Sequence, residues 1–554
     1  MLKITLLTIS LLMVSLTSFS EEDFVVTSEI HTYTIIDANN YESMTEIIGE
    51  NKASVGHRIG FPVNELSELI TLEVSEWSKG KWKTFSMKDN LSISTMSWSS
   101  FFSGTKYYRF VIPPGMKFKV TFATKDKHTI FLSRMFKKGW FDAENCSYSY
   151  NLPPQLMLTT ELQQSFEDKS TFSEVSFDTL DILKFLIHPR TSEPNRYFSD
   201  WFQERIDPQL VIAENVIPQE LKDIAKLGDK RKLAEACFTY VQKNVRYIDV
   251  ENGINAVIPR HCEQVLQNGL GDCKDMATLL TALYRSFGME AYSAISRTNS
   301  KEGKLDFPAL GSANHTICAL RLFDDWYFLD ATEEVCKFGD PSIQILGTEV
   351  FLVGRHEGYY LEVPAEPLYP HGVEMNYQMD VENAQVFLTI DAKGKMSNYF
   401  QYVAKKEHDP KKSIERMLRN TTNLEWKVDS LIIGDGDALL VANTVMKPTM
   451  ISKIGSKSLL EASFIFNPTI ITALCQNNSY PLFDSNVAII LESTQNETLE
   501  FGASLKEPMS LKNEGNRVRI AYPLMRKNSE EAFEEDPLIL GWKEIITKPI
   551  KLVK

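Results

Sequence analysis

The sequence predicts an α+β fold in which a helix-and-strand core lies between two β-rich regions. Three observations support this. Residues 24–160 show strand character broken by turn residues, residues 176–244 switch to helical periodicity, and β patterning resumes from Met375. A chain of 554 residues with 43% hydrophobic and 11% aromatic content is long enough for about three domains. The expected boundaries are a signal peptide at 1–20, an N-terminal β-rich domain at 21–170, a helical lead-in and core at 171–365, and a C-terminal β-rich domain at 366–554.

Lys3 followed by the apolar stretch Ile4 to Phe19 reads as a secretory signal, with Ser18-Phe-Ser20 supplying small residues for cleavage before Glu21. The stretch is short for a bilayer span, and no later segment is long and apolar enough, so no transmembrane span is expected in the mature chain. The protein is therefore expected to be exported, periplasmic or extracellular. Phe24 to Ile36 reads as strand. Tyr107 to Ile112, Pro113-Pro-Gly115 and Lys117 to Phe122 read as a hairpin. The aromatics Trp77, Trp82, Trp98, Phe101 and Phe102 are expected in a sandwich core, with a carbohydrate platform as the alternative.

Tyr197 to Phe202 reads as a helix packing surface, and Lys232 to Val245 as a stronger helix. The polar, glycine-containing stretch Thr298 to Ser312 reads as a surface loop or lid. Past Met375, a hairpin is expected around Asp391-Ala-Lys-Gly-Lys395. A charged helix is expected at 410–420 with Asp409 as N-cap. Strands are expected at 430–433, 438–445, 487–491 and 517–521, and Glu530 to Asp536 reads as a solvated acidic segment.

The most informative stretch is Gly269-Leu-Gly-Asp-Cys-Lys-Asp275, which places Cys273 in the first turn of a helix. Unpaired amides and the positive end of the helix dipole favour a nucleophilic thiolate there. Lys274, Thr278, Thr281 and Arg285 make a polar stripe, Ala277, Leu280, Tyr284 and Phe287 an apolar one, and Gly288 stops the helix. Downstream, residues 314–323 read as a strand, Asp324-Asp325 as a turn, and 326–330 as the antiparallel partner. A two-residue turn sets Asp330 opposite Ile317 or Ala319, and either choice puts it on the face of His315, whereas a three-residue turn would put the two on opposite faces. Cys273, His315 and Asp330 then form a plausible nucleophile, base and orienter.

These motifs resemble the transglutaminase-like core. The resemblance runs through Val245 to Gly253, Pro259-Arg260, Glu263 to Leu266, Gly271 to Asp275, Asn314-His315 and Trp326 to Thr332, covering about residues 229–355. The match is strongest to the bacterial exported subfamily that carries an N-terminal domain of unknown function. Ala331 stands where many members have proline, a change at a turn and not at a reacting group. The resemblance implies a papain-like core with Cys273, His315 and Asp330 as its catalytic triad. It also implies acyl transfer or amide hydrolysis through a thioester, no cofactor, and a peptide, protein or envelope component as substrate. The competing reading is a non-catalytic exported scaffold that binds peptide or glycan.

Lysine and arginine total 59 against 73 acidic residues, a net charge of −14, and no basic patch is present, so nucleic acid is not an expected partner. The seven cysteines (146, 237, 262, 273, 318, 336 and 475) are irregularly spaced without a CxxC, so no metal site is expected. Export permits disulfides, yet an odd count leaves at least one thiol unpaired in a monomer.

Overall fold

The computed structural model describes residues 23–553, apart from 89, 99–100, 252, 299–304, 355–357, 365–370, 423, 435, 456, 466–484, 496–497, 502–508 and 525–548. The signal-peptide stretch, Cys475 and the acidic 530–536 segment lie outside the described residues. The fold is α+β, and the chain divides into two compact units. Of the described residues, one holds those up to 298, 305–333 and 348–363; the other holds 334–347 and those from 364 onward.

The first unit begins with a β-sandwich. A seven-stranded sheet runs in the order 169–172, 146–151, 24–37, 40–51, 117–127, 67–78, 81–84. A smaller sheet centres on strand 101–112, which pairs with 57–63, 92–98 and 249–251. Alternate residues of both sheets meet in one core. Ile47, Val74, Phe118 and Val120 come from the first sheet, and Ile59, Phe61, Phe110 and Ile112 from the second. The expected hairpin across Pro113-Pro-Gly115 is not formed, because its two strands belong to different sheets. Consecutive prolines carry no N–H to close a hairpin ladder, so the chain uses them as a corner between sheets. Trp77 is also not core: it is 44% exposed, and its ring meets the half-buried Trp82 at 5.1 Å on the hairpin 67–84. The side chains of Trp98, Phe101 and Phe102 lie outside what is described.

The core of this unit is a five-stranded antiparallel sheet in the order 325–329, 315–322, 290–296, 349–352, 359–362. The helix Cys273–Ser286 packs on the two strands Glu290–Ser296 and His315–Leu322, and against the helices Lys230–Asn244 and Cys262–Asn268. That central position corrects the expected polar stripe: Lys274, Thr278 and Thr281 are buried, and only Arg285 reaches solvent. The threonines are accommodated by local bonds, Thr281 donating to the Ala277 carbonyl at 2.8 Å and Thr278 pairing with Ser293 at 3.2 Å. Gly288 ends the helix with φ +71°, as its position predicts. The helix Pro194–Ile206 supplies Phe198, Trp201 and Phe202 to a second apolar cluster with Ile295 and Phe351 of the sheet.

That cluster also changes the reading of the loop before His315. Residues 299–304 lie outside the described residues, but Leu305, Phe307, Ala309 and Ala313 are buried in the cluster. Gly311 is tied to the Ser133 hydroxyl at 2.9 Å. The second half of the loop is therefore anchored packing, not a lid.

The second unit is β-rich as expected. Its main sheet runs 426–433, 437–445, 385–393, 372–380, 485–493, 517–524, 510–514. The strand 385–393 pairs with 372–380 before it, and Gly394 leads into a short helix, Asn398–Lys406, so the hairpin expected at 391–395 is absent. The helix Pro410–Thr422 is capped by Asp409, whose carboxylate accepts the Lys412 amide at 3.2 Å.

Candidate active site

The short loop ahead of the Cys273 helix is built by backbone geometry. Gly269 closes the helix Cys262–Asn268 in the left-handed region (φ +61°), where its missing Cβ avoids strain. Leu270 and Gly271 then run parallel to Arg246 and Tyr247, and Ile248 donates its amide to the Gly271 carbonyl at 2.9 Å. A Cβ on Gly271 would lie 3.0 Å from Asp275 and 3.2 Å from Val245, so only glycine fits without displacement. Asp272 is the N-cap, and it forms a reciprocal capping box with Asp275: the Asp275 amide donates to Asp272 Oδ1 at 3.3 Å and the Asp272 amide to Asp275 Oδ2 at 3.1 Å.

His315 and Asp330 are brought together by the hairpin register. Phe323 and Asp324 form the two-residue turn, both with positive φ (53° and 71°), as a type I′ turn requires. The turn lies one residue earlier than the expected Asp324-Asp325. The ladder pairs Leu322 with Asp325 and Cys318 with Leu329. Continued by one residue, it sets Asp330 opposite Ile317 and so on the His315 face.

The resulting contact is direct. His315 Nε2 lies 2.9 Å from Asp330 Oδ2, and both side chains are almost fully buried. The other carboxylate oxygen, Oδ1, accepts the Thr332 amide at 3.1 Å and its hydroxyl at 2.6 Å. With Nε2 engaged by Asp330, Nδ1 is the ring nitrogen left for another partner, and Cys273 is near enough to the ring to add to the rise in its pKa. Burial disfavours a charged ring. The Asp330 carboxylate, aided by Cys273, outweighs it and pushes the His315 pKa up to about 9. The entry to the His315 strand is fixed by Asn314, which accepts the Thr298 amide at 2.8 Å and donates to the Thr298 hydroxyl at 2.9 Å.

Cys273 is half-buried. The thiols of Cys237 and Cys318 are fully buried, and burial pushes both up to about 12. The half-buried Cys146 is likewise raised to about 12, mainly by burial, and Cys262 is raised by burial as well. All six described cysteines are free thiols. Among the described residues, no group of three or more His, Cys, Asp or Glu side chains is arranged to hold a metal ion.

Several residues of the quoted motifs were given no role at the site by sequence reasoning. Thr332 holds Asp330; its signal was the Asp-x-Thr spacing, which favours a local side-chain turn. Arg260 grips Asp275 through Nε at 3.0 Å, Nη2 at 2.6 Å and its own amide at 2.7 Å. Lys274 pairs with Asp272, both buried. The Asp-x-x-Asp spacing signalled the capping box, but nothing in sequence showed that Lys274 turns inward. Tyr247 also faces the site: burial raises its hydroxyl well above its ordinary range, with Cys273, Asp249, Asp272 and Asp330 adding to the rise.

The site combines a helix-start cysteine, a helix packed on two inner strands of an antiparallel sheet, a histidine at the start of one of those strands and an aspartate just after the neighbouring strand. A family model described as the transglutaminase-like superfamily matches residues 220–331. Residues 220–331 are a transglutaminase-like domain. The solved structure of a "putative protease" from Parabacteroides distasonis aligns with 97% of this chain and 100% of its own, at 10% identity and a TM-score of 0.56. The full-length fold, β-rich flanks included, is therefore shared with that protein. A "putative cysteine protease" from Cytophaga hutchinsonii aligns with 53% of this chain and 77% of its own at 14% identity and a TM-score of 0.16. No curated protein matches the chain. Among the described residues, no helix is long and apolar enough to cross a membrane.

Proposed function

We propose that this protein is an exported cysteine enzyme that cleaves or transfers an acyl group of a peptide, protein or envelope component through a Cys273 thioester. The observation that carries this reading is the buried His315–Asp330 pair at the strand on which the Cys273 helix packs, with Cys273 at the start of that helix. In the proposed reaction His315 Nδ1 takes the Cys273 proton and the sulfur attacks the substrate carbonyl carbon. The first-turn amides of the helix, including that of Cys273, face the developing oxyanion. The C–N bond breaks as His315 returns the proton to the leaving amine. Water or a second amine then attacks the thioester and frees the thiol. Asp330 holds the ring in the tautomer that has Nδ1 free to accept, and it stabilises the imidazolium.

Export is read from residues 1–20, with a mature chain beginning near Glu21 in the periplasm or outside the cell. The family model over residues 220–331 and the protease description of the Parabacteroides distasonis protein support an amide-bond substrate. Labelling the folded protein with a thiol electrophile, followed by peptide mapping, tests the assignment. Selective modification of Cys273 is expected, along with loss of turnover in Cys273→Ala. Labelling of Cys262 or Cys318 with Cys273 inert would overturn it. Ligand binding that persists in Cys273→Ala, with no labelling of Cys273, would point to the scaffold reading.

A further inference from the structure

A lysine in the second position of a helix is doubly disfavoured when buried. It loses hydration, and it meets the positive end of the helix dipole. Lys274 nevertheless occupies that position with its side chain 8% exposed. Its Nζ turns back onto Asp272 Oδ2, the free oxygen of the N-cap carboxylate, which is itself buried.

The capping box explains why a cation is needed there. A box usually joins a neutral hydroxyl to one carboxylate. Here it joins two buried carboxylates, Asp272 and Asp275, which repel each other across the helix start. Asp275 is held by Arg260, through two guanidinium hydrogen bonds and one from the backbone amide, and it also feels the Lys274 charge. Asp272 depends on Lys274. The other groups around Asp272 are Asp275 on its own helix, Asp249 on the strand 249–251 and the hydroxyl of Tyr247 on the strand 246–247; the Arg260 guanidinium bonds to the Asp275 carboxylate and not to Asp272.

We propose that Lys274 is a positioning residue for the nucleophile: its buried ammonium keeps Asp272 ionised, and the ionised cap fixes the helix start that presents Cys273. Burial pushes the Asp272 pKa up to about 6 even though Lys274 pulls it down. Without that attraction the carboxyl takes up a proton near neutral pH. Above that pH the uncompensated Asp272 charge repels Asp275 across the capping box, and both effects loosen the first turn and the sulfur with it, whereas a neutral amide at position 272 brings no such charge.

This inference rests on the active-site reading above, so its test measures thiol reactivity, not turnover. The rate of Cys273 alkylation by iodoacetamide is followed from pH 5 to 9 in the full chain by peptide mapping, with a thermal melt on each variant. Lys274→Met is expected to slow Cys273 alkylation about 10-fold at pH 7 and to move the acidic limb up by about one pH unit. Lys274→Arg is expected to keep the wild-type profile. The double variant Lys274→Met with Asp272→Asn is expected to recover the rate to within about 3-fold, because asparagine caps a helix without needing a counter-charge. A wild-type rate and limb in Lys274→Met overturns the inference, and so does a folded double variant that is no faster than the single one. If Lys274→Met does not fold, the double variant and Lys274→Arg are compared with wild type, and a slow profile in the double variant overturns the inference. A wild-type Cys273 no more reactive than Cys262 or Cys318 instead defeats the active-site reading, a different outcome from an activated Cys273 that ignores Lys274.

Discussion

Asp330→Asn is the sharpest test of the proposed triad, because the structure dictates how the amide must sit. Asp330 Oδ1 accepts two donors from Thr332, at 3.1 and 2.6 Å, while Oδ2 faces His315 Nε2 at 2.9 Å. An asparagine keeps both Thr332 bonds only by placing its oxygen there, so its NH2 group turns to His315. The ring must then accept at Nε2, which puts its proton on Nδ1, the nitrogen that has to receive the thiol proton. The carboxylate that raises His315 from 6.5 to about 9 is lost as well. A rise of that size corresponds to roughly 3 kcal/mol, or about 10² in imidazolium population. Adding the inverted tautomer places the expected loss in kcat/KM at about 10²–10⁴. The fold should survive, since the amide fills the same space and keeps its local bonds; a cost of about 1–3 kcal/mol is expected. Asp330→Ala should leave a weakly active enzyme, because Cys273 and His315 can still form an ion pair. The assay is steady-state kinetics on a peptide substrate found by screening, with a melt for each variant. Near wild-type rates in Asp330→Asn, with His315→Ala inactive, would reduce the site to a dyad and refute the reasoning.

Other expectations follow from the same geometry. Cys273→Ser or Cys273→Ala should abolish turnover with little change in melting temperature, because the half-buried side chain adds little packing; a large destabilisation would give Cys273 a structural role instead. Thr332→Val removes both bonds to Asp330 Oδ1 and should lower kcat/KM by about 10-fold through the freed carboxylate, an effect that steady-state kinetics can resolve. The raised pKa of His315 means that folding favours its protonated form. Its contribution, at most roughly 3 kcal/mol, is fully present below pH 6.5 and lost as pH rises through about 9. Urea midpoints at pH 6 and pH 9.5 should therefore fall more in wild type than in His315→Ala, and equal falls would remove the linkage. Intact-mass measurement of the exported protein should give a chain beginning near Glu21, and retention of residues 1–20 would indicate an anchor.

The sequence by itself determined what depends on local pattern. The Cys273 helix, its Gly288 stop, the strand pair around the 323–324 turn and the α+β alternation all follow from periodicity, caps and turn residues that act over a few positions. Period-two alternation even set His315 and Asp330 on one face, since a two-residue turn leaves no other parity. Tertiary structure alone decided what depends on partners far along the chain. The stripe of Lys274, Thr278 and Thr281 looked solvent-facing because polar residues usually are, yet a sheet and two further helices enclose the Cys273 helix. Whether Tyr107 to Ile112 met Lys117 to Phe122 depended on which strands competed for their edges, and each found a better partner in a different sheet. The loop before His315 read as a surface loop or lid by composition, but four of its apolar residues complete a core shared with the helix Pro194–Ile206 and with Ile258, Ile295 and Phe351, residues that the loop's own sequence does not reveal. The pairing of Asp272 with Lys274, and of Asp275 with Arg260, belongs with these. A buried charge is tolerated only where the fold places its opposite charge, and that placement is a property of the packed chain, not of the motif that carries the cysteine.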